Sequence, residues 1–196
     1  MVDKKDIQLM DFIKVYDNVL PTVFISKLIR TANDKFDFKK ALTVNGKGEA
    51  FEHKSRVCSD YNIGNKPDNF TEINLKNTCI YHIGELSKLY RQECCPDLFL
   101  DNVIEVTMLK YTEGGKYDRH VDNAKSTPRE LSCIVYLNDD YQGGNTTFYK
   151  PNTREVLCTV TPKSGRAIIW PSNFLFPHQA NPVTKGTRYI IVSWLN

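Results

Sequence analysis

The sequence predicts an α+β fold that is mainly β, with helices in its first half and short strands in its second. Apolar residues of the first half recur at helical spacing, whereas the second half alternates short apolar runs with turn residues. The apolar fraction of 41% and the charged fraction of 25% are those of a globular chain. Many short strands with helices against one face are typical of a sandwich or a jelly roll.

Two stretches of the first half are predicted to be helical. Residues 21–33 begin with a proline that a first helical turn accepts, and their apolar residues lie near helical spacing: Val23, Ile25, Leu28 and Ile29. Residues 74–93 give the clearer pattern, with steps of four, three and four between Cys79, Ile83, Leu86 and Tyr90. Pro96 then ends this second helix.

The connection between these helices, residues 45–70, is rich in glycine, asparagine and aspartate. Such a composition predicts a long loop, and long loops often cover binding sites. The second half predicts six strands separated by turn signals: Val103–Tyr111, Glu130–Leu137, Asn145–Tyr149, Glu155–Thr161, Arg166–Trp170 and Thr187–Leu195.

Length and composition restrict the class of protein. A chain of 196 residues suits one domain with its own core, and a net charge of +3 without a basic stripe gives nucleic-acid binding no support. None of the six cysteines is spaced as C-x-x-C, so a zinc knuckle is not expected. The charged first 18 residues do not resemble a signal peptide, and no apolar run is long enough to span a membrane. We therefore expect a cytoplasmic protein with free thiols.

A His-x-Asp pair, His120 and Asp122, is the first sign of a metal site. On an extended segment residues i and i+2 point to the same side, so both side chains can share one cation. Three other histidines are candidates for a third ligand. His53 and His82 are expected to be solvated, which leaves His178, fifty-six residues after Asp122. Two histidines and a carboxylate on one face of iron(II) leave positions open for a co-substrate and dioxygen.

Arg188 lies ten residues after His178, at the start of the apolar run RYIIVSWL. An arginine that enters a core strand is costly unless it is paired, and its planar guanidinium suits two-point contact with a carboxylate. The alternative is an arginine at the strand edge with its charged end in water.

Taken together, these residues resemble the iron(II)/2-oxoglutarate-dependent dioxygenases, and the finer pattern is similar to their prolyl 4-hydroxylase branch. The finer pattern comprises Tyr111-x-x-Gly114-x-x-Tyr117-x-x-His120-x-Asp122, Arg129 before the strand LSCIVYLN, Gly143-Gly144-Asn145-Thr146-Thr147-Phe148, and Trp194 six residues after Arg188. The compact length is like that of viral, phage or bacterial members. The resemblance is strong over residues 103–196, and residues 1–102 fit in outline.

The resemblance implies a single dioxygenase domain over residues 1–196, folded as a double-stranded β-helix, or jelly roll. Residues 1–102 would supply supporting helices and a lid loop, and residues 103–196 the core strands and the site. It implies iron(II) on His120, Asp122 and His178, and 2-oxoglutarate with its distal carboxylate on Arg188, Tyr111 and Thr146. Dioxygen would be the oxidant, and ascorbate an auxiliary reductant.

The resemblance further implies hydroxylation of a proline in a peptide or protein, with release of succinate and carbon dioxide. Tyr117, Arg129 and Trp194 would face this substrate, and residues 55–70 would close over it. Whether the chain forms oligomers, and which carbon is hydroxylated, stay open. Many members have lysine where this chain has Arg188, which changes the shape of the carboxylate contact.

Four other functions remain as alternatives. A nucleic-acid demethylase of the same superfamily would carry a second arginine six residues after Arg188, where this chain has Trp194. A 2-oxoglutarate oxygenase acting on a small molecule would keep the same site. A non-catalytic jelly-roll binding protein has no need of Arg188 beside a complete ligand set, and a zinc hydrolase would need a general base that no residue resembles.

Overall fold

A computed structural model describes residues 7–44, 49–65, 69–100, 102–123 and 129–196. The helices are α1 (Thr22–Lys35) and α2 (Phe70–Cys94), and a 3₁₀ turn, Leu9–Phe12, precedes them. The strands are β1 (Lys14–Tyr16), β2 (Lys39–Lys40), β3 (Thr43–Val44), β4 (Ala50–Phe51), β5 (Arg56–Val57), β6 (Ser59–Asn62), β7 (Thr107–Tyr111), β8 (Lys116–His120), β9 (Leu131–Tyr136), β10 (Gln142–Gly143), β11 (Thr146–Tyr149), β12 (Val156–Val160), β13 (Ala167–Pro171), β14 (His178–Ala180), β15 (Val183–Lys185) and β16 (Arg188–Leu195).

Most strands belong to two antiparallel sheets. The seven-stranded sheet, here the major sheet, has the order β1-β13-β9-β16-β7-β6-β2. The five-stranded sheet, the minor sheet, has the order β12-β11-β14-β8-β5. Strands distant in the sequence are neighbours in both sheets, as β16 is when it pairs with β9 on one side and β7 on the other. Two antiparallel sheets with such crossovers agree with the mainly β fold that the sequence predicts.

Strand β9 shows why the core has two layers. Successive side chains of a strand point to opposite faces. Cys133 and Val135 pack with residues of α1 and α2 such as Leu28 and Ile83. Ile134 and Tyr136 pack instead into a second core with residues of the minor sheet. Because both faces are covered, the strand is buried along its whole length.

The first helix forms close to where the sequence predicts it, over Thr22–Lys35. Ile25 and Leu28 are buried as expected, and Ala32 continues their stripe. The prediction that Val23 shares this apolar face is wrong, because its side chain is 84% exposed. Val23 precedes Ile25 by only two positions, which puts it on another side of a helix.

The second helix is longer than predicted and starts at Phe70. Asn69 caps it, since its Oδ1 accepts a hydrogen bond from the backbone N–H of Glu72. The four residues that predicted the helix are all buried, namely Cys79, Ile83, Leu86 and Tyr90. The helix ends at Cys94, two residues before Pro96. Neither helix, nor any other in the described part of the chain, is long and apolar enough to cross a membrane.

The prediction of a loop over residues 45–70 is wrong for much of its described part. Strand β6 pairs with β7 and β2 in the major sheet, and β5 pairs with β8 in the minor sheet. The first half of the chain therefore extends both sheets as well as covering one of them. Strand β6 escaped prediction because it is polar, with the sequence Ser-Asp-Tyr-Asn. Residues 45–48 and 66–68 lie outside the described residues.

The six predicted strands are all present, as β7, β9, β11, β12, β13 and β16. The first is shorter than predicted, since β7 begins at Thr107, although Val103 still forms an isolated bridge with Leu195. Strand β14 was not predicted. It has three residues, and its neighbours include Pro177 and Pro182, so its segment has the composition of a turn.

Candidate active site

Two strands of the minor sheet bring the predicted metal ligands together. His120 ends β8 and His178 begins β14, and the antiparallel register of these strands places the two residues opposite each other. Asp122 follows β8 by two residues. One ligand atom from each residue lies within 4.8 Å of the others. In the described part of the chain this is the only trio of histidine, cysteine or acidic residues close enough to hold a metal ion.

Hydrogen bonds fix the orientation of both imidazoles. Nδ1 of His120 lies 2.8 Å from the carbonyl oxygen of Asp118, and Nδ1 of His178 lies 3.1 Å from that of Phe176. A carbonyl can only accept, so each Nδ1 carries the hydrogen and each Nε2 keeps its lone pair. The Nε2 atoms face the carboxylate of Asp122 at 3.4 Å and 3.6 Å. Three ligand atoms thus point at one space.

Burial and the partners of Asp122 set the charges at this place. Burial lowers the pKa of His178 to about 4, although Asp122 acts in the opposite direction, so the imidazole is neutral near pH 7. Burial alone would raise the pKa of Asp122. His178, His120 and the Ser132 hydroxyl outweigh it and hold that pKa far below its usual range.

The Ser132 hydroxyl also fixes the carboxylate in place. Its Oγ donates to Oδ2 of Asp122 over 2.6 Å and contacts Oγ of Ser172 at 2.8 Å. An ionised carboxylate beside two imidazoles that each turn Nε2 towards it is a donor set for a divalent cation. The chemistry of the three residues therefore fits iron(II).

A cavity of about 450 Å³ extends from this trio into the space between the sheets. Arg188 lies at its inner end and is fully buried. Nη2 of Arg188 donates to Oγ1 of Thr146 over 3.3 Å, and its Nε and Nη1 have no partner among the described residues. The rings of Tyr111 and Tyr136 flank the guanidinium, with centroids 4.8 Å and 5.3 Å from Cζ.

A buried guanidinium with two unused donors requires an anion, since an unpaired buried charge is strongly destabilising. Arginine donors match a carboxylate in shape and number. The Thr146 hydroxyl, 2.6 Å from that of Tyr136, adds a third polar group beside the same place. The inner end of the cavity thus fits the distal carboxylate of 2-oxoglutarate.

Gly144 explains part of the Gly-Gly motif that precedes Thr146. Its φ of +65° lies in the left-handed region, which favours glycine. A Cβ here would come within 2.8 Å of the Tyr141 ring and 3.2 Å of Cδ of Arg188. Any larger residue would therefore push into the side chains around the arginine.

The three predicted substrate residues line the outer part of the same cavity. The Tyr117 ring stacks on the His120 ring, with centroids 3.6 Å apart. Cζ of Arg129 lies 3.6 Å from the centroid of the Trp194 ring, and Nη1 of Arg129 donates to the carbonyl oxygen of Asp122 over 3.0 Å. All nine residues that the sequence proposed for the site therefore border one cavity.

Sequence reasoning missed several residues that border or support this cavity. The sequence could have pointed to Ser132 and Tyr136, because they are the polar residues on the face of β9 that also carries Ile134. Arg56, whose Cζ lies 5.0 Å from the Tyr117 ring, was proposed only as part of a lid. Asp60 and Glu105 have no motif that marks them.

Residues 106–196 match the family model of the 2OG-Fe(II) oxygenase superfamily. This stretch contains the metal trio and Arg188. This part of the chain, a little under half of its length, is therefore similar to the 2OG-Fe(II) oxygenase superfamily. The match agrees with the family that the sequence resembles.

Similar proteins from several organisms include prolyl hydroxylases. Human prolyl 3-hydroxylase 3 is 40% identical over 68 residues, which are 35% of this chain and 9% of that protein. The chain therefore matches only a small part of these curated relatives.

Two solved structures share the fold over most of the chain. A prolyl 4-hydroxylase from Pseudomonas putida has a TM-score of 0.71 at 19% identity, with 94% of this chain and 92% of that chain covered. A prolyl hydroxylase from Trichoplax adhaerens, solved with a peptide fragment of the hypoxia inducible factor oxygen degradation domain, has a TM-score of 0.72 at 17% identity. That match covers 94% of this chain and 83% of the other. At these identities the likeness is one of fold, and it confirms the predicted jelly roll.

Proposed function

We propose that this protein is an iron(II)- and 2-oxoglutarate-dependent dioxygenase that hydroxylates a peptidyl proline and releases succinate and carbon dioxide. One observation carries the proposal: the metal trio and the unpartnered guanidinium of Arg188 face the same cavity. Neither a binding module nor a zinc hydrolase has a use for a buried anion site beside an open metal site.

In this proposal His120, Asp122 and His178 hold iron(II), while Arg188, Tyr111 and Thr146 hold the distal carboxylate of 2-oxoglutarate. When bound with dioxygen, these groups supply the oxidation that hydroxylates a C–H bond, and ascorbate serves as an auxiliary reductant. The protein's own contribution is to hold the metal ligands in position. The Nδ1 hydrogen bonds keep both imidazoles in the ligating tautomer, and Ser132 keeps the Asp122 carboxylate ionised and in place.

Apolar side chains form part of the cavity wall. Ile134, Ile190 and Val192 line it between Arg188 and the outer end. Such a screened space strengthens the charge-assisted contacts made by Arg188 and limits unproductive oxidation. Tyr117, stacked on His120, closes one side of the space next to the metal trio.

Two observations support a proline substrate: the chemistry of the outer cavity, and the presence of prolyl hydroxylases among the similar proteins. Nε1 of Trp194 and Nε of Arg129 are buried donors without partners among the described residues. A peptide carbonyl satisfies such donors, and the rings of Tyr117 and Trp194 give a proline ring an apolar wall. Proline-rich chains leave their carbonyls free for these contacts.

Residues 1–196 act in this proposal as one domain in the cytoplasm. Residues 55–70 stay proposed as the segment that covers the substrate, with the difference that β5 and β6 anchor part of it in the sheets. Arg56 is the member of this segment placed to meet a substrate, because it lies over Tyr117 and borders the cavity.

The proposal is tested by measuring succinate with three substrate classes. The protein is incubated with iron(II), 2-oxoglutarate, ascorbate and oxygen, together with proline-containing peptides, methylated oligonucleotides or free proline. We expect succinate to form with the peptides, accompanied by a peptide mass increase of one oxygen atom on proline. Arg154→Ala, a change of an exposed arginine that does not border the cavity, serves as a control and should behave as the unaltered protein.

Two results would change the proposal. Turnover restricted to the oligonucleotides would replace the proline substrate with a nucleobase. Turnover of free proline alone would keep the chemistry and move the substrate from a protein to a small molecule.

A further inference from the structure

One wall of the cavity carries three side chains that can accept hydrogen bonds. In the register of the major sheet, Asp60 lies beside Leu109 and Asn62 beside Thr107. Leu109 and Thr107 in turn pair with Ile190 and Val192 of β16. Across the sheet, the neighbouring residues are therefore apolar on β16 and polar on β6. Glu105 lies two residues before the start of β7 at Thr107, and all three acceptor residues border the cavity. Asp60, Asn62 and Glu105 are called the acceptor wall below.

The acceptor wall has no partner of its own. The carboxylates of Asp60 and Glu105 make neither an ion pair nor a side-chain hydrogen bond in the described part of the chain, and the buried Oδ1 of Asn62 has no partner either. Burial raises the pKa of Asp60 even though Arg56 acts against it. Burial also raises the pKa of Glu105; Arg129 opposes this and Asp60 reinforces it.

The nearby arginines make no ion pair with these carboxylates among the described residues, although Nε of each arginine has no partner. Nη1 of Arg56 donates to the carbonyl oxygen of Leu42 over 2.7 Å, and its guanidinium lies over Tyr117. Arg129 donates to the backbone of Asp122 and stacks on Trp194. Neither comes within 4 Å of a carboxylate oxygen of the acceptor wall, so the wall keeps its acceptors for another molecule.

Trp194 gives independent evidence that a ligand fills this part of the cavity. Its side chain is nine-tenths buried, with 9% exposed, and it borders the cavity on β16. Its Nε1 is inaccessible and without a partner among the described residues. A buried indole N–H normally finds an acceptor, so the missing acceptor belongs to a bound molecule. A peptide supplies that acceptor through its carbonyl, and a donor for the acceptor wall through a side chain.

The charges at the site indicate which kind of substrate side chain can bind to the acceptor wall. Arg188 is matched by the distal carboxylate of 2-oxoglutarate, and Asp122 by the metal ion. Arg56 and Arg129 border the same cavity, but neither forms an ion pair with the acceptor wall, so two carboxylates and an amide oxygen remain there without a bonded partner in the described part of the chain. They do not form a second group of three histidine, cysteine or acidic ligands among the described residues, which makes an organic cation the better match than a second metal ion. An ammonium or guanidinium group carries several donors and one positive charge, which is what three acceptors require.

We propose that Asp60, Asn62 and Glu105 bind a lysine or arginine side chain of the substrate peptide, next to the residue that is hydroxylated. The acceptor wall then determines specificity, because it favours basic over neutral or acidic flanks. This inference rests on the proposed peptide hydroxylation and adds a substrate class to it.

The test compares three proline peptides that differ only at the flanking residue, which is lysine, norleucine or glutamate. Turnover is measured as succinate, and binding is measured separately by fluorescence anisotropy of labelled peptides under nitrogen with iron(II) and 2-oxoglutarate. We expect the unaltered protein to favour lysine over norleucine by about tenfold or more in kcat/KM and in Kd, the size of a partly buried ion pair. Asp60→Asn and Glu105→Gln, which keep shape and remove charge, should reduce that ratio towards unity.

A matched control is Glu85→Gln, which removes an exposed carboxylate of α2 that pairs with Lys88 far from the cavity. It should keep the full preference for lysine. Equal affinity for the lysine and norleucine peptides in the unaltered protein would overturn the acceptor-wall proposal, whether or not the peptides are hydroxylated. A lysine preference in binding that Asp60→Asn abolishes, without hydroxylation of any proline peptide, would keep the acceptor wall and remove the proposed function.

Discussion

At the scale of single residues, the proposed binding of 2-oxoglutarate depends most on Arg188. Its guanidinium is fully buried with two unused nitrogens, so removal of the side chain leaves the co-substrate carboxylate without its counter-charge. Loss of such a pair costs on the order of 2–5 kcal/mol, which is at least about thirtyfold in an equilibrium constant. Arg188→Ala should therefore raise KM for 2-oxoglutarate by that factor or more and change KM for the peptide much less.

Arg188→Lys separates this role from a purely structural one. Lysine keeps the charge and loses the two-point contact, so the variant should recover part of the affinity for 2-oxoglutarate. Thermal melting of both variants shows whether they are folded. An unchanged KM for 2-oxoglutarate in a folded Arg188→Ala protein would exclude the arginine from the co-substrate site.

Ser132 can influence the metal only indirectly, because it is not one of the three ligands and acts through its hydrogen bond to Asp122. Without its hydroxyl, Oδ2 of Asp122 loses a 2.6 Å hydrogen bond that orients the carboxylate. Loss of a group that orients a ligand typically costs about 10- to 100-fold in metal affinity. Ser132→Ala should show this loss in an anaerobic iron(II) titration. Ser87→Ala, which removes a buried hydroxyl in α2, should bind iron(II) like the unaltered protein.

Site residues could be predicted from the sequence where they belong to a motif with fixed spacing along the chain. His120, Asp122, His178 and Arg188 belong to such a pattern, and the structure brings them to one cavity. The acceptor wall could not be predicted, because a carboxylate in a polar segment has the same sequence appearance whether it faces solvent or a cavity. Only the register of β6 against β7 turns Asp60 and Asn62 inwards.

At the scale of elements, the connection from β6 to α2 depends on one buried carboxylate. Glu72 is 3% exposed and accepts hydrogen bonds from the Tyr61 hydroxyl, the Gly64 N–H and the Asn69 side chain. Glu72→Ala leaves those donors unsatisfied, which costs about 1–3 kcal/mol for a buried polar group. The free energy of unfolding, measured with urea, should fall by that amount. Glu85→Ala on the exposed face of α2 should change it little, and an equal effect would argue against the role of Glu72.

A second element-scale prediction concerns the connection between β1 and α1. Asp17 there pairs with Lys163 and Arg166 of the turn before β13, with N–O distances of 2.8 Å. Hydrogen bonds from Arg166 and Lys163 hold the pKa of Asp17 below its usual range. A carboxyl whose pKa is lowered in the folded state stabilises the fold above its unfolded pKa, and this stabilisation is lost as the pH falls through the folded value.

Asp17→Asn should therefore lower Tm at pH 7, and the difference from the unaltered protein should stay constant down to about pH 4, the ordinary range of an aspartate. Below that pH the difference should shrink, because the unaltered Asp17 becomes protonated as well. Asp34→Asn, at an exposed position of α1 with no ion pair in the described part of the chain, should show no such pH dependence. A difference that grows at low pH would contradict the pairing.

The elements themselves could be predicted wherever apolar periodicity marks them. Both helices and the six apolar strands fall into this class. Strands β5, β6 and β14 do not, since they are short and polar, and their place is decided by pairing with β8 and β7 rather than by their own sequence. The N-terminal start of α2 was missed because the cap at Asn69 lies in the same polar segment.

At the scale of the whole molecule, the two sheets create one cavity whose ends have different tasks. The minor sheet positions the metal ligands through the pairing of β8 and β14, and the major sheet positions Arg188 and the acceptor wall. The inner end fits a dicarboxylic co-substrate, and the outer end offers donors on Arg129 and Trp194 together with acceptors on Asp60 and Glu105. A peptide that enters the outer end would meet both.

The most direct test of this division is an anaerobic titration of iron(II), followed by 2-oxoglutarate, into three proteins: unaltered, His178→Ala and Arg188→Ala. We expect the unaltered protein to bind both in sequence, with the visible absorption of a keto acid chelated to iron(II). His178→Ala should lose most of its affinity for iron(II), whereas Arg188→Ala should bind iron(II) normally and fail to bind 2-oxoglutarate tightly. Equal iron(II) affinity in the unaltered and His178→Ala proteins, or unchanged binding of 2-oxoglutarate by Arg188→Ala, would contradict the assignment of this cavity.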